Sequence, residues 1–246
     1  MNLPTREECQ EIVKNSDAFY VTEKYLEHQK IEIYDYRMAK LEDFEKYNAY
    51  ELRGLTFIYD VEKNIWNRFI LMNKFFNVNQ AKGWNQEDLT QKITRIQNKE
   101  DGSIISFVRF SNDNIRAKSK MSFESEQAQM AQYLFMNNYN IRKFVTNMLN
   151  IECTAIFELV GYENQIVIEY DTPYELRLLH IRDENGNYYP AEKMNNIAKI
   201  YNIETTEEYN VSLIENIASK YTKEELILKL GNNEFQTFDE FIDYLS

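Results

Sequence analysis

The chain has 246 residues, 43% of them hydrophobic and 14% aromatic, with only 6 Gly and 3 Pro. That is enough to bury a substantial core, and it excludes disordered, linker-rich and collagen-like classes. No apolar run approaches the roughly 18 residues that a membrane helix needs. The net charge of −12 argues against nucleic acid on average, yet Arg53 through Lys120 holds 12 basic and 7 acidic residues. A basic middle in acidic surroundings suits an anionic ligand on one face.

The N-terminal MNLPTREECQ lacks the basic start and apolar stretch of a secretory signal, which predicts a cytoplasmic protein with no membrane partner. Residues 5–15 read as a short helix with Ile12 and Val13 on its apolar side. Lys30–Tyr36 alternates as a strand. Residues 54–60 and 65–70 read as a hairpin joined by Val61-Glu62-Lys63-Asn64. Strands follow at 92–96, 103–110 and 115–118, with Ser111-Asn112-Asp113-Asn114 as turn chemistry. From about Phe123 to Met148 the spacing is helical, with a break near Asn137-Asn138. Strands return at 154–160, 165–168 and 175–181, the last leading into the hairpin signal Asn185-Gly186. Helical segments are expected near 191–200, 211–219, 222–230 and 237–245, in a region (183–246) with 5 basic and 13 acidic residues. The class is α+β with much antiparallel sheet, and no linker or repeat divides it.

Cys9 and Cys153 lack a CxxC spacing and read as free thiols. His28 and His180 are not at a metal-ligand spacing, so a zinc site is not expected. His180, inside Leu178-Leu179-His180-Ile181, reads as a partly buried strand histidine. The most informative segment is Lys99-Glu100-Asp101-Gly102-Ser103. Alone it is a charged turn with Asp-Gly at the bend. Its company gives it weight: Arg53-Gly54-Leu55-Thr56-Phe57 and Asn73-Lys74-Phe75-Phe76-Asn77 upstream, then Lys118-Ser119-Lys120, Ser125-Glu126-Gln127-Ala128 and Phe157-Glu158-Leu159 downstream.

In this order and spacing, from about Tyr36 to Tyr170, the chain resembles the phage RNA ligase 1 family of covalent nucleotidyltransferases. Met121 stands where the family's KSKGS-like element has glycine, and Asn73 replaces an acid. The resemblance implies an antiparallel-sheet, ATP-grasp-like ligase core with flanking helices, C-terminally incomplete. It would form one adenylyltransferase domain over 1–246: an N-terminal subregion to about 50, a nucleotide-binding core over 51–182 and an acidic helical region over 183–246.

By the same resemblance Lys99 would be the nucleophile that forms lysyl-AMP. Arg53 and Lys74 would contact nucleotide or phosphate, and Phe76 would stack on adenine, although either Phe75 or Phe76 can face the ligand and the other the core. Glu158 would accept from the ribose, Lys120 would act near phosphate or the RNA end, and Tyr36 would border the nucleotide pocket. Glu100 and Gly102 complete the motif, Gly102 by letting the backbone turn closely beside the nucleophile. A lysine attacks only as the neutral amine. At an unperturbed pKa of about 10.4 that form costs about 4–5 kcal/mol at pH 7, so nearby cations such as Lys74, Lys120 or a metal are expected to lower it.

The implied substrates are ATP with Mg²⁺ and RNA, with tRNA ends as one candidate, and the implied setting is RNA repair in the cytoplasm of a phage-infected cell. After Val160, however, there is no Glu-Gly followed by a β-branched run and no Lys-x-Lys. These are the family's later metal and triphosphate motifs, and its C-terminal RNA-specificity domain is missing too. Three readings stay open: a truncated or split ligase completed by a second polypeptide, a naturally reduced enzyme, or a ligase fold that binds nucleotide, RNA or a protein partner without catalysis.

Overall fold

The computed structural model describes residues 3–76, 96–111, 113–161 and 172–209. The expectations at 165–168, 211–219, 222–230, 237–245 and Asn77 lie outside them, as does most of the strand expected at 92–96. In chain order the elements are α1 Arg6–Asn15, β1 Phe19–Leu26, β2 Gln29–Tyr36, α2 Leu41–Tyr47, β3 Leu55–Asp60, β4 Ile65–Phe69 and β5 Ile96–Gln97. They continue with β6 Ser103–Arg109, β7 Ile115–Ser119, α3 Glu126–Asn137, α4 Tyr139–Asn150, β8 Thr154–Val160, β9 Glu175–Arg182, α5 Ala191–Tyr201 and β10 Glu208–Tyr209.

Two four-stranded antiparallel sheets, ordered β1-β2-β3-β4 and β7-β6-β8-β9, form the body, and β5 pairs with β10 in a short ribbon. Side-chain alternation along each strand sorts the apolar residues into three layers of core. Leu55 and Phe57 of β3 pack with Phe44, Cys9 and Phe19 under α1 and α2. Ile31, Ile33 and Ile58, on the other face of that sheet, meet Val108, Phe110 and Phe123 between the sheets. Phe107, Phe157 and Leu159 face outward onto α3, α4 and α5, through Ala131, Phe144 and Met194 among others.

Local chemistry explains the element ends. Thr5 caps α1 in a reciprocal capping box with Glu8. Ser125 caps α3, and Asn138 both ends α3 and accepts from the first amides of α4, which is the expected break. At Asn185-Gly186 the turn forms, with Asp183 accepting from the Asn185 and Asn187 amides. The returning chain makes only the bridge Arg182↔Tyr188 before α5, so this is a turn with one bridge rather than a full hairpin. Strand β9 carries one extra residue: Ile156 pairs with His180 but Phe157 pairs with Leu178. The unpaired Leu179 is a bulge that resets the alternation.

Polar contacts fix how the sheets sit. Arg182, 2% exposed, donates to both Glu51 carboxylate oxygens at 2.8 and 2.9 Å and to the Gly186 and Leu71 carbonyls. Lys118, 1% exposed, donates to the carbonyls of Gly54, Ser119 and Lys120 at 3.1, 3.0 and 2.7 Å. Replacing Arg182 by Met would strand the buried Glu51 carboxylate, so we expect Arg182→Met to lose about 3–5 kcal/mol of stability in urea unfolding. A loss under about 1 kcal/mol would show that the ion pair does not hold the sheets together.

Candidate active site

A cavity of about 360 Å³ opens where the inner face of the second sheet meets the segment after β4. It falls within the usual size range for small-molecule sites. Arg53, Met72 and Phe75 line it from the first-sheet side, and Lys99, Gly102 and Glu158 from β8 and the loop before β6. Leu179, His180 and Thr206 complete it. Alternation explains Glu158: Phe157 and Leu159 face the helices, so the residue between them faces inward, opposite Ile104 of β6. The bulge at Leu179 brings both Leu179 and His180 to the cavity wall, where His180 packs edge-on against Tyr188.

The Lys99 loop is held on both sides. Before it, Asn98 donates its amide to the Glu207 carbonyl and its side chain to the Glu207 carboxylate. After it, the Gly102 N–H donates to Glu158 at 3.2 Å. A β-carbon at Gly102 would lie 2.2 Å from the Leu159 carbonyl oxygen, so only glycine lets this loop lie against β8. Glu100 is 7% exposed and ion-paired with Arg177 at 3.0 Å, and Arg177 also reaches Glu175 at 3.3 Å. Lys99 itself is exposed beside these groups.

Burial pushes the Glu158 carboxyl up to about 7. Gly102, Lys99 and Arg53 oppose the shift, and Glu100 adds to it. Burial likewise brings the Lys118 ammonium down to about 7, with Lys120 adding and Asp35 opposing. Three carbonyl acceptors around Lys118 use the three protons of the ammonium form.

The sequence-predicted residues divide into two groups. Arg53, Lys99, Glu100, Gly102 and Glu158 all line the cavity. Tyr36, Lys74, Phe76 and Lys120 gather instead on a neighbouring aromatic cluster. The Lys74 and Lys120 ammonium groups lie 5.6 and 5.0 Å from the Tyr36 ring centre. Lys120 pairs with buried Asp35 at 2.7 Å, and Phe76 meets the Phe44 ring edge-on at 5.7 Å. Beside Lys99 the cavity is therefore lined by the cation Arg53, and of the two phenylalanines by Phe75, 44% exposed with the Arg53 guanidinium 5.4 Å from its centre.

Sequence reading missed three contributors. Arg177 and Glu51 sat in ordinary charged contexts. Thr206 is 2% exposed, and its hydroxyl has no hydrogen-bond partner among the described residues although the residue lines the cavity. Among the described residues no three His, Cys, Asp or Glu side chains gather as a metal site, and no helix is long and apolar enough to cross a membrane.

The sequence model of the RNA ligase family, in its T4 form, matches residues 51–236. The chain belongs to the phage-type RNA ligase family. A Thermovibrio ammonificans protein named "Putative RNA ligase" is 28% identical over 173 residues, which cover 70% of this chain and 44% of that protein. Two solved forms of an archaeal ATP-dependent RNA ligase superpose with a TM-score of 0.58 at 11% and 10% identity, covering 90% of this chain and 54% of theirs. At that identity they establish a shared α+β fold. The chain spans about half the length of these relatives.

Two predictions follow from the ligase-family cavity. A carboxyl held near 7 rather than its ordinary 4.5 binds its proton more tightly in the folded state, so its contribution to stability is lost as pH rises from 4.5 to 7. Glu158→Gln should remove that slope in chemical unfolding between pH 4.5 and 8; parallel wild-type and variant curves would contradict it. With a nucleotide base in the cavity, Phe75→Ala should weaken its binding about tenfold, the loss expected of one stacking ring, with little change in melting temperature. Phe76→Ala should instead destabilise by about 1–3 kcal/mol, and the reverse pattern would exchange the two roles.

Proposed function

We propose that the protein is an ATP-dependent RNA ligase in which Lys99 is the nucleophile. The neutral Lys99 amine attacks the α-phosphorus of ATP; the bond to the bridging oxygen breaks, pyrophosphate leaves, and a phosphorus–nitrogen bond holds AMP on the enzyme. An RNA 5′-phosphate oxygen then attacks the same phosphorus and frees Lys99. Finally an RNA 3′-hydroxyl attacks the activated phosphate, AMP departs, and the strand is sealed. The observation that carries this reading is the placement of Lys99 over a nucleotide-sized cavity, with Arg53 and Glu158 beside it.

Each residue has a physical task. Arg53 offsets phosphate charge near the amine. Phe75 offers its face to the adenine, the part given to Phe76 on sequence alone. Glu158 accepts from the ribose hydroxyls, and donors there favour its carboxylate, so nucleotide binding draws its pKa down. Glu100, held by Arg177, fixes the loop. Tyr36, Lys74 and Lys120 form a second cationic platform suited to the triphosphate tail or the RNA end.

Mg²⁺ fits as an ion held mainly by phosphate oxygens and water, since the cavity offers the carboxylates of Glu158 and Glu100 but, among the described residues, no gathered set of three ligands; once bound, it would screen phosphate charge. On this reading ATP and RNA are the substrates and RNA repair is the setting. A second polypeptide becomes a partner where the triphosphate-orienting lysines come from another chain.

Intact-mass measurement after incubation with ATP, Mg²⁺ and pyrophosphatase tests the proposal. The wild type should gain about 329 Da, the mass of one AMP joined as a phosphoramidate, and Lys99→Ala should gain nothing. An adduct that persists in Lys99→Ala would refute the nucleophile. ATP binding without any adduct would favour a ligase fold kept for binding.

A further inference from the structure

The corner between α3 and α4 presents a surface that the nucleotide cavity does not use. Met136, Asn137, Asn138 and Tyr139 are four consecutive exposed residues; Met136 and Tyr139 are 57% and 63% exposed, and Tyr133, one turn earlier, 61%. They form one patch: the Asn137 side chain donates to the Tyr133 carbonyl at 2.8 Å, and the Arg142 guanidinium reaches back to the Met136 carbonyl at 2.7 Å. The Lys143 ammonium lies 5.9 Å from the Tyr139 ring centre and 6.0 Å from that of Tyr201.

The charge pattern here departs from the rest of the chain. Forty of 246 residues are Asp or Glu, yet none occurs between Glu126 and Glu152, where Arg142 and Lys143 are the only charged side chains. In so acidic a protein this stretch is cationic. Exposed tyrosines do not help the fold, because Ala128, Ala131, Phe135, Ile141 and Phe144 supply the buried face of these helices.

Stacking rings, flanking cations and side-chain amides, with acids excluded, are what a single strand of nucleic acid requires: bases stack on aromatic faces and phosphates track the cations. Glu175 and Glu204 line a small groove that Asn138, Asn140 and Ile141 also border, so a phosphate backbone is repelled from that groove and drawn to Arg142 and Lys143. We propose that the α3–α4 corner docks single-stranded RNA, through base stacking on Tyr133 and Tyr139 and phosphate contacts to Arg142 and Lys143. The identity of the strand as RNA rests on the ligase reading given above; the surface itself does not depend on Lys99.

The test uses the full chain and a fluorescein-labelled twelve-nucleotide single-stranded RNA, followed by anisotropy across a salt series. Tyr133→Ser with Tyr139→Ser should weaken binding at least about tenfold, given 1–3 kcal/mol per stacked base. Arg142→Gln with Lys143→Gln should make the slope of log affinity against log salt shallower by about 1.4, two phosphates at ~0.7 each for a single strand. Melting temperatures check folding, and Lys143→Gln alone, which leaves the Arg142 contact to Met136 intact, should still lose about half of that slope change.

Formation of the AMP adduct should be the same in all variants. Wild-type affinity and slope in the folded variants would overturn the proposal, as would unchanged RNA binding accompanied by loss of self-association in sedimentation, which would make the patch a contact between copies. If wild type forms no AMP adduct but the tyrosine variant still loses RNA, the surface stands while the nucleophile assignment falls.

Discussion

The buried ammonium of Lys118 is the constraint on which the site's geometry depends. Each sheet has an apolar core of its own against its own helices, and hydrophobic packing is not directional. Packing between the sheets brings them together without fixing their relative position to the precision that a catalytic or binding site requires. Lys118, donating from β7 to the carbonyl of Gly54 and to those of Ser119 and Lys120 at the end of its own strand, supplies direction. Gly54 approaches so closely that a β-carbon would meet the Lys120 carbonyl oxygen at 2.5 Å, and its φ of +75° is one that glycine adopts readily. The Glu51–Arg182 pair pins the same loop to β9. Arg53, between these two anchors, is thereby aimed at the cavity.

Burying charge in this way has a cost. Lys118, Arg182 and Glu51 are each nearly or fully removed from water, and a well-packed apolar replacement of such groups is often as stable. What the charges add is a single arrangement of two sheets. The same balance appears at Glu158, a carboxyl whose burial beside the cavity raises its proton affinity while the Gly102 N–H opposes the shift.

Much of the fold was legible because its signals are local. Strands β2, β3, β4, β6, β7, β8 and β9 announce themselves by alternation, and α1, α3, α4 and α5 by period and caps. Strand β1 and helix α2 were not legible. β1 joins β2 through Glu27 and His28, both at positive φ, a turn usually marked by Asn-Gly or Gly and here made without either. α2 has seven residues, too few to show a helical period, and rests on Lys40–Asp43 and Phe44.

In the site, Lys99, Gly102 and Glu158 could be picked out because motif order places them at one loop and one strand. The division of Phe75 from Phe76 could not, since it depends on which way an irregular segment turns after β4. Arg177 and Thr206 were silent because the partner of the first lies 77 residues away in sequence and the hydroxyl of the second has none among the described residues.

The bulge at Leu179 carries one more consequence. Without the extra residue, strict alternation would turn either Ile181 and Arg182 or Leu176 and Leu178 to the wrong faces. The outer core, the clamp on Glu51 and the cavity wall would then not coexist on one strand. A strand that serves three surfaces thus tolerates neither an insertion nor a deletion along its length. The reading frame of its side chains, rather than their chemistry, is what joins the hydrophobic core to the cavity, so length changes in this part of the family are to be sought in the loops that flank β9.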